Sequence, residues 1–384
     1  MRRSLAGALC AAAALATALA PMGVHAQTAP DPPYDVPVDQ LAAAFECPHP
    51  FTHPEHEPVL LVHGTFTNAH ENFSWNWELL LPSRGYDYCL VTYPERGLGD
   101  MQVAAEYVAY SVQQMAHTSG RKVDIVGHSQ GGLMPRWAIK WWPSVQALVD
   151  DDVMLAGPNH GVGLAANAEQ SPVPLAPVMY QFAPESNFIR ALNAGDESPG
   201  AVDYTSIYSI TDELVQPAVP VPTAGLDWGR VEPNVRNISV QDVCPGRVVD
   251  HLSIGTTDRL TQELALDALS HPGPGDPSRI SAPATCVLPD QYAVPEQFPV
   301  LLEQFQRSMA GGFPAFTTTD TEPEVKAYAQ ARPASATTTT TAAPGAVEGN
   351  RDSAGLPSTG GGPPVAFGLA LGGLTLLTRR TLRA

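Results

Sequence analysis

Gly127-His128-Ser129-Gln130-Gly131, followed by Gly132, is the stretch that most narrows what this chain can fold into. The pattern Gly-x-Ser-x-Gly takes its meaning from its flanks. Val123-Asp124-Ile125-Val126 before it reads as a strand, and Leu133 to Trp142 after it carries apolar residues at helical spacing. A serine on a sharp strand-to-helix turn sits in strained backbone geometry, and side chains on its neighbours would collide, so glycines stand two residues away on either side. The hydroxyl then projects over the end of a sheet, and the following helix points its N-terminus, which favours negative charge, at the same place.

The rest of the chain supplies matching elements. Val59 to Val62 after Pro58, Tyr88 to Thr92, Val153 to Ala156, Ser206 to Ile210 and Val235 to Val240 read as further strands. Val103 to Met115 has helical spacing and is closed by Gly120. Strands alternating with helices predict an α/β fold: a mostly parallel central sheet with helices on both faces, the α/β-hydrolase arrangement that houses such an elbow. There is no internal repeat.

A serine hydroxyl needs a base, and the base needs a carboxylate to orient it, in the chain order Ser, acid, His. Downstream of Ser129 the histidines are His160, His251 and His271. His160 follows the fourth strand too closely to leave room for an acid-bearing strand. His271 sits in Ser-His-Pro-Gly-Pro-Gly. His251, after Val248-Val249-Asp250, fits a loop beyond the last strand. Asp212 directly follows Tyr208-Ser209-Ile210-Thr211, at a strand's carboxyl end, with Asp203, Asp227, Asp242 and Asp250 as rivals. A tetrahedral oxyanion would need two donors: the backbone N–H of Gln130 and, after the first strand, Thr65 through its N–H and hydroxyl.

Taken together, Pro58 to Val62, Gly64-Thr65, Ser129 to Leu133, Thr211-Asp212-Glu213 with Val215-Gln216-Pro217, and Asp250-His251 resemble the lipases of the Candida antarctica lipase B type and their bacterial relatives. The resemblance runs from near Pro58 to near Thr261. It implies Ser129 as nucleophile, Asp212 as orienter, His251 as base, and Thr65 and Gln130 as the oxyanion hole. It also implies disulfides Cys47–Cys89 and Cys244–Cys286, and hydrolysis of carboxylic esters, including triacylglycerols, without a cofactor. Two positions depart from the pattern: His128 stands where the yeast enzyme has a Trp lining the alcohol side of the pocket, and His63 replaces a Pro. The family's third disulfide has no counterpart. An acyltransferase working through the same acyl-enzyme, and a catalytically idle surface-binding scaffold, are the rival readings.

The two ends of the chain carry addresses. Arg2 and Arg3, the apolar run Leu5 to Ala20, and Val24-His25-Ala26 form an export signal over residues 1–26, with Gln27 as the mature start. Beyond a catalytic domain at 27–316, residues 317–355 are rich in Thr, Ala and Pro and predict an extended spacer. Residues 356–384 begin Leu-Pro-Ser-Thr-Gly, continue with the apolar Val365 to Leu377, and end with Arg379, Arg380 and Arg383. That order resembles a sortase sorting signal cut between Thr359 and Gly360, which implies sortase and cell-wall peptidoglycan as partners in a Gram-positive host. The apolar run is short for a membrane span of ~20 residues. Pro (38) and Gly (32) are abundant and charged residues scarce at 16 %, which fits a globular body with unstructured sequence attached. A formal charge of −18 repels nucleic acid and anionic lipid and suits solubility outside the cell. The four cysteines left after export are even in number, as expected for disulfides in an oxidising compartment. No CxxC or His-rich cluster points to a metal site.

Overall fold

The computed structural model describes residues 29–287 and 316–330. The export signal at 1–26 and the sorting signal at 356–384, with Thr359 and Gly360, lie outside the described residues.

Seven strands form one sheet: β1 Phe45–Glu46, β2 Val59–Val62, β3 Tyr88–Val91, β4 Val123–His128, β5 Val149–Leu155, β6 Asp203–Tyr208 and β7 Val235–Ser239. Their spatial order is β1-β3-β2-β4-β5-β6-β7. The edge pair β1–β3 is antiparallel, and every other pair is parallel. The arrangement is the α/β-hydrolase one. Strands β2, β3 and β4 are buried along their whole length; β2 and β3 are accordingly continuous apolar runs rather than alternating ones, while β4 carries one buried acid, Asp124.

Helices cover both faces because parallel neighbours need crossovers. On one face lie Met101–Ser119 and Leu133–Trp141, burying Val108, Val112 and Trp137. On the other lie Trp77–Ser83 and Arg259–Ser270, burying Trp77, Leu260 and Leu264. The long helix starts where the Asp100 side chain accepts from the Gln102 N–H and stops at Gly120, whose φ of 69° is left-handed. Trp75, Trp77, Trp141 and Trp142 are all buried in the core. The disulfides Cys47–Cys89 and Cys244–Cys286 are both formed.

Two elements differ from the sequence expectation. Strand β5 begins at Val149, four residues before Val153, so that Asp150, Asp151 and Asp152 lie within it. Pairing to β4 on one side and β6 on the other overrides the low strand propensity of aspartate. The spacer, expected to start at Thr317, does not start there. Thr319 and Leu175 exchange backbone hydrogen bonds of 2.8 and 3.0 Å, and the Glu322 carboxylate accepts from the Asn187 and Phe188 N–H groups at the start of helix Asn187–Asn193. Tyr328, in the short helix Ala327–Gln330, accepts from the Trp137 indole at 3.1 Å and packs edge-on against Trp142. Composition averaged over a Thr/Pro-rich stretch hides one tyrosine that fills an aromatic niche and one glutamate that caps a helix. The folded domain therefore runs through Gln330.

Candidate active site

At the carboxyl end of β4 the chain turns into a 3₁₀ turn, Ser129–Gly132, and then into helix Leu133–Trp141. Ser129 has φ of +56°, a left-handed conformation that a non-glycine residue holds only when its surroundings force it. The force is close packing of backbone. A Cβ on Gly127 would sit 2.1 Å from the Gly131 carbonyl oxygen, and one on Gly131 would sit 2.0 Å from the carbonyl oxygen of Val62 at the end of β2. Both positions must be glycine for the turn to close, and closing it leaves Ser129 partly exposed above the sheet.

The structure brings the three residues singled out for the chemistry into one line. Ser129 Oγ lies 2.9 Å from His251 Nε2, and His251 Nδ1 lies 2.7 Å from Asp212 Oδ2. His251 is not in a loop. It opens the helix His251–Thr256, which is capped by the Asp250 side chain accepting from the Ser253 N–H. Asp212 lies four residues past the end of β6. Its other oxygen accepts from the Leu214 and Val215 N–H groups at 2.8 and 2.9 Å, so both carboxylate oxygens are held. The rivals are engaged elsewhere. Asp203 begins β6 at the opposite end of the sheet, Asp227 takes the Ser198 hydroxyl, and Asp242 lies in the short helix Val240–Val243. His160 faces Glu197, and the His271 ring bonds back to its own helix at the Asp267 carbonyl.

Charge in this line is set by burial against pairing. Burial pushes His251 down, but the Asp212 carboxylate, helped by Glu213 and Asp250, outweighs it and leaves the imidazole above its ordinary value. Burial pushes Asp212 up, but the His251 ring and the two backbone N–H donors hold its carboxyl below the ordinary range. Glu213 also accepts from the His251 backbone N–H at 3.0 Å. That contact was not read from the sequence, where Glu213 served only as part of a motif.

Thr65 and Gln130 meet above Ser129. The Thr65 hydroxyl donates to the Gln130 side-chain oxygen at 2.9 Å, so in this structure the threonine's N–H, and not its hydroxyl, is the donor left over. Gln130 is the second residue of its turn, so its N–H is one of the amides a helix start leaves without an internal partner.

A model of the family described as "Lipase (class 2)" matches residues 56–260. The chain belongs to the class 2 lipases. Lipase B of Pseudozyma antarctica is 32 % identical to it over 244 residues, 62 % of this chain and 70 % of that one. The crystal structure of Aspergillus fumigatus lipase B superimposes with a TM-score of 0.69 at 33 % identity, over 78 % of this chain and 73 % of that one. The enzyme is thus a carboxylic ester hydrolase of the lipase/esterase type. In this lipase the departure at His128 is a buried one. Its Nε2 lies 2.9 Å from the His251 carbonyl and its Nδ1 3.2 Å from Asn72 Oδ1, and burial lowers its pKa to about 3, so it is a neutral structural ring. Asn72 Oδ1 also accepts from the Gly64 N–H, and Asn72 is itself buried. His63 is stacked on Tyr93 with its pKa lowered to about 4 by burial.

Proposed function

We propose that this class 2 lipase is an exported, wall-anchored enzyme that hydrolyses acylglycerol-type esters through an acyl-enzyme on Ser129. The observation that carries the mechanism is the hydrogen-bonded line Ser129–His251–Asp212 at the carboxyl end of the sheet. His251 Nε2 takes the Ser129 proton as Oγ attacks the ester carbonyl carbon. Asp212 holds the ring in the tautomer with the proton on Nδ1 and stabilises the imidazolium that forms. The carbonyl oxygen, now an anion, is held by the N–H groups of Thr65 and Gln130. Collapse expels the alcohol with the proton from His251 and leaves the acyl group on Ser129. Water then attacks by the same route and releases the acid.

Acylglycerol-type substrates are supported by the relatives, both of them lipases. Leu164, Val173, Val219 and Val221 each leave about half of their surface in water. Exposed apolar surface of that kind suits a water-insoluble acyl chain. Export and anchoring rest on the order of segments at the two ends of the chain: signal at 1–26, Leu-Pro-Ser-Thr-Gly with its apolar run and basic tail at 356–384.

The test is turnover of p-nitrophenyl esters from C2 to C16 by the purified protein and by Ser129→Ala. Turnover that rises toward long chains and disappears in the variant supports the reading. Unchanged turnover in Ser129→Ala overturns the mechanism, and activity confined to the shortest chains overturns the lipid substrate. For the address, retention in the wall fraction of a sortase-bearing host should be lost on Thr359→Ala.

A further inference from the structure

The amino-terminal end of the sheet, opposite the catalytic residues, holds a concentration of acid that hydrolysis does not use. Asp124 is the second residue of β4; Asp150 and Asp151 are the second and third of β5. In a regular parallel pair, consecutive aspartates on one strand would point to opposite faces of the sheet. Here the register breaks. Val123 pairs with Val149, but Ile125 pairs with Asp152, so β5 advances three residues while β4 advances two. The extra residue is a bulge, and a bulge re-aims side chains that would otherwise diverge. It sets both Asp150 and Asp151 against Asp124. One carboxylate oxygen from each of the three lies within 4.8 Å of those of the other two.

We propose that Asp124, Asp150 and Asp151 form a binding site for one hard divalent cation of the calcium class, gathered by the bulge in β5. A second observation points to a ligand. Asp151 is only 5 % exposed, and its Oδ1 accepts no hydrogen bond from any described residue. A buried carboxylate oxygen without a donor is costly unless a charge or a donor reaches it. Protein cations do little for it: Lys122 reaches Asp150 at 2.8 Å, on the solvent side of the cluster. Asp203, paired beside Asp151 across β5 and β6, adds further negative charge. Three carboxylates this close together take up either protons or a cation.

The donor set chooses the kind of cation. It is all carboxylate oxygen, with no nitrogen or sulfur, which excludes the softer transition metals. Calcium accepts oxygen ligands in flexible geometry where magnesium demands a near-ideal octahedron, and three carboxylates gathered by a bulge suit the first. Asp150, about half exposed, leaves room for the waters that calcium keeps. From Asp124 to Ser129 is five residues along β4, roughly 16 Å, so the ion would brace β4 and β5 rather than act on substrate. Cysteine and histidine spacings do not reveal this site, because Asp124 lies far from Asp150-Asp151 in sequence and the three meet only where the bulge turns the pair toward it.

Terbium tests this directly. Burial, and after it the charges of Asp124 and Asp151, raise the Tyr86 phenol, so a tyrosine lies within electrostatic reach of the cluster and serves as the sensitiser. Excited through tyrosine at pH 7.5, the purified protein should show saturable terbium emission displaced by calcium, with calcium half-saturation at about 0.1–1 mM. Asp151→Asn and Asp124→Asn should each weaken binding at least tenfold. Glu185→Gln, at an exposed acid elsewhere, should leave it unchanged. Calcium should also raise the melting temperature of the native protein and not that of Asp151→Asn. Should the two buried variants fail to fold, Asp150→Asn, at the half-exposed ligand, must show the same loss. Emission that is unsaturable, or equal in native protein and the aspartate variants, or a melting temperature indifferent to calcium, would mean the cluster holds protons instead and would overturn the proposal.

Discussion

Replacing Gly131 with alanine tests whether backbone packing around the elbow sets the catalytic geometry. The new Cβ would lie 2.0 Å from the Val62 carbonyl oxygen, 2.7 Å from its carbon and 2.8 Å from the His63 carbonyl oxygen. All three are backbone atoms, so no side chain can swing aside. An ordinary contact begins near 3.4 Å, so the elbow and the end of β2 must separate by about 1.4 Å. The end of β2 leads directly into His63-Gly64-Thr65, so the separation moves the Thr65 N–H away from Ser129. Misplacement of about 1 Å costs on the order of 10²-fold in rate, equivalent to about 2.7 kcal/mol of transition-state stabilisation. Overpacking of this kind costs roughly 1–3 kcal/mol of stability, so the melting temperature should fall by several degrees while the fold survives. The assay is kcat/KM on a soluble short-chain ester, normalised to the fraction of protein labelled by a fluorophosphonate, with near-UV circular dichroism as the fold check. Gly99→Ala is the control, because its nearest new contact is the flexible end of Glu95 at 3.4 Å. Gly131→Ala with kcat/KM within twofold of the native enzyme would refute the reasoning.

Four further outcomes are expected. Asp212→Asn keeps the contacts to Leu214 and Val215 but presents an N–H to His251 Nδ1, forcing the proton onto Nε2, which then cannot accept from Ser129; kcat should drop about 10⁴-fold, and a loss under tenfold would show that Asp212 is not the orienter. Activity requires neutral His251, whose pKa is raised in the fold, so kcat/KM should be lost as pH falls through a value above the usual ~6.5. Glu213→Gln removes one of the charges that raise it, so the acid limb should move to lower pH; an upward shift would contradict the assignment. Tyr328→Ala should cost about 2 kcal/mol by emptying the niche beside Trp137 and Trp142, seen as a lower denaturant midpoint with kcat unchanged; a midpoint like that of the native protein would return residues 316–330 to the role of a spacer.

Much of this protein could be read from local pattern. Val59 to Val62 and Tyr88 to Val91 are recognisable as buried strands because burial on both faces demands apolar runs, and Val123 to Val126 is recognisable despite Asp124 because its other three residues are β-branched. Gly127 and Gly131 announce the elbow because the backbone contacts there admit no side chain. Asp212 and His251 are different. Position along the chain favoured His251 but left four other aspartates in contention with Asp212, which a resemblance singled out; their approach to Ser129, 83 and 122 residues away, is a property of strand order. Rules that work on windows of sequence do not extend to partners brought together across the chain. Sequence alone starts this strand only at Val153 because aspartate has low strand propensity, and only pairing to both neighbouring strands draws Asp150, Asp151 and Asp152 into the sheet. Tyr328 reads as part of a spacer until the aromatic niche that receives it exists. The sequence by itself determined the sheet's buried strands, the elbow and the chemistry of the nucleophile, since these depend on neighbours within a few residues. Tertiary structure alone decided which acid meets which base, where the domain ends, and that Asp124 faces Asp150 and Asp151, since each depends on side chains whose positions are set by strands far apart in sequence.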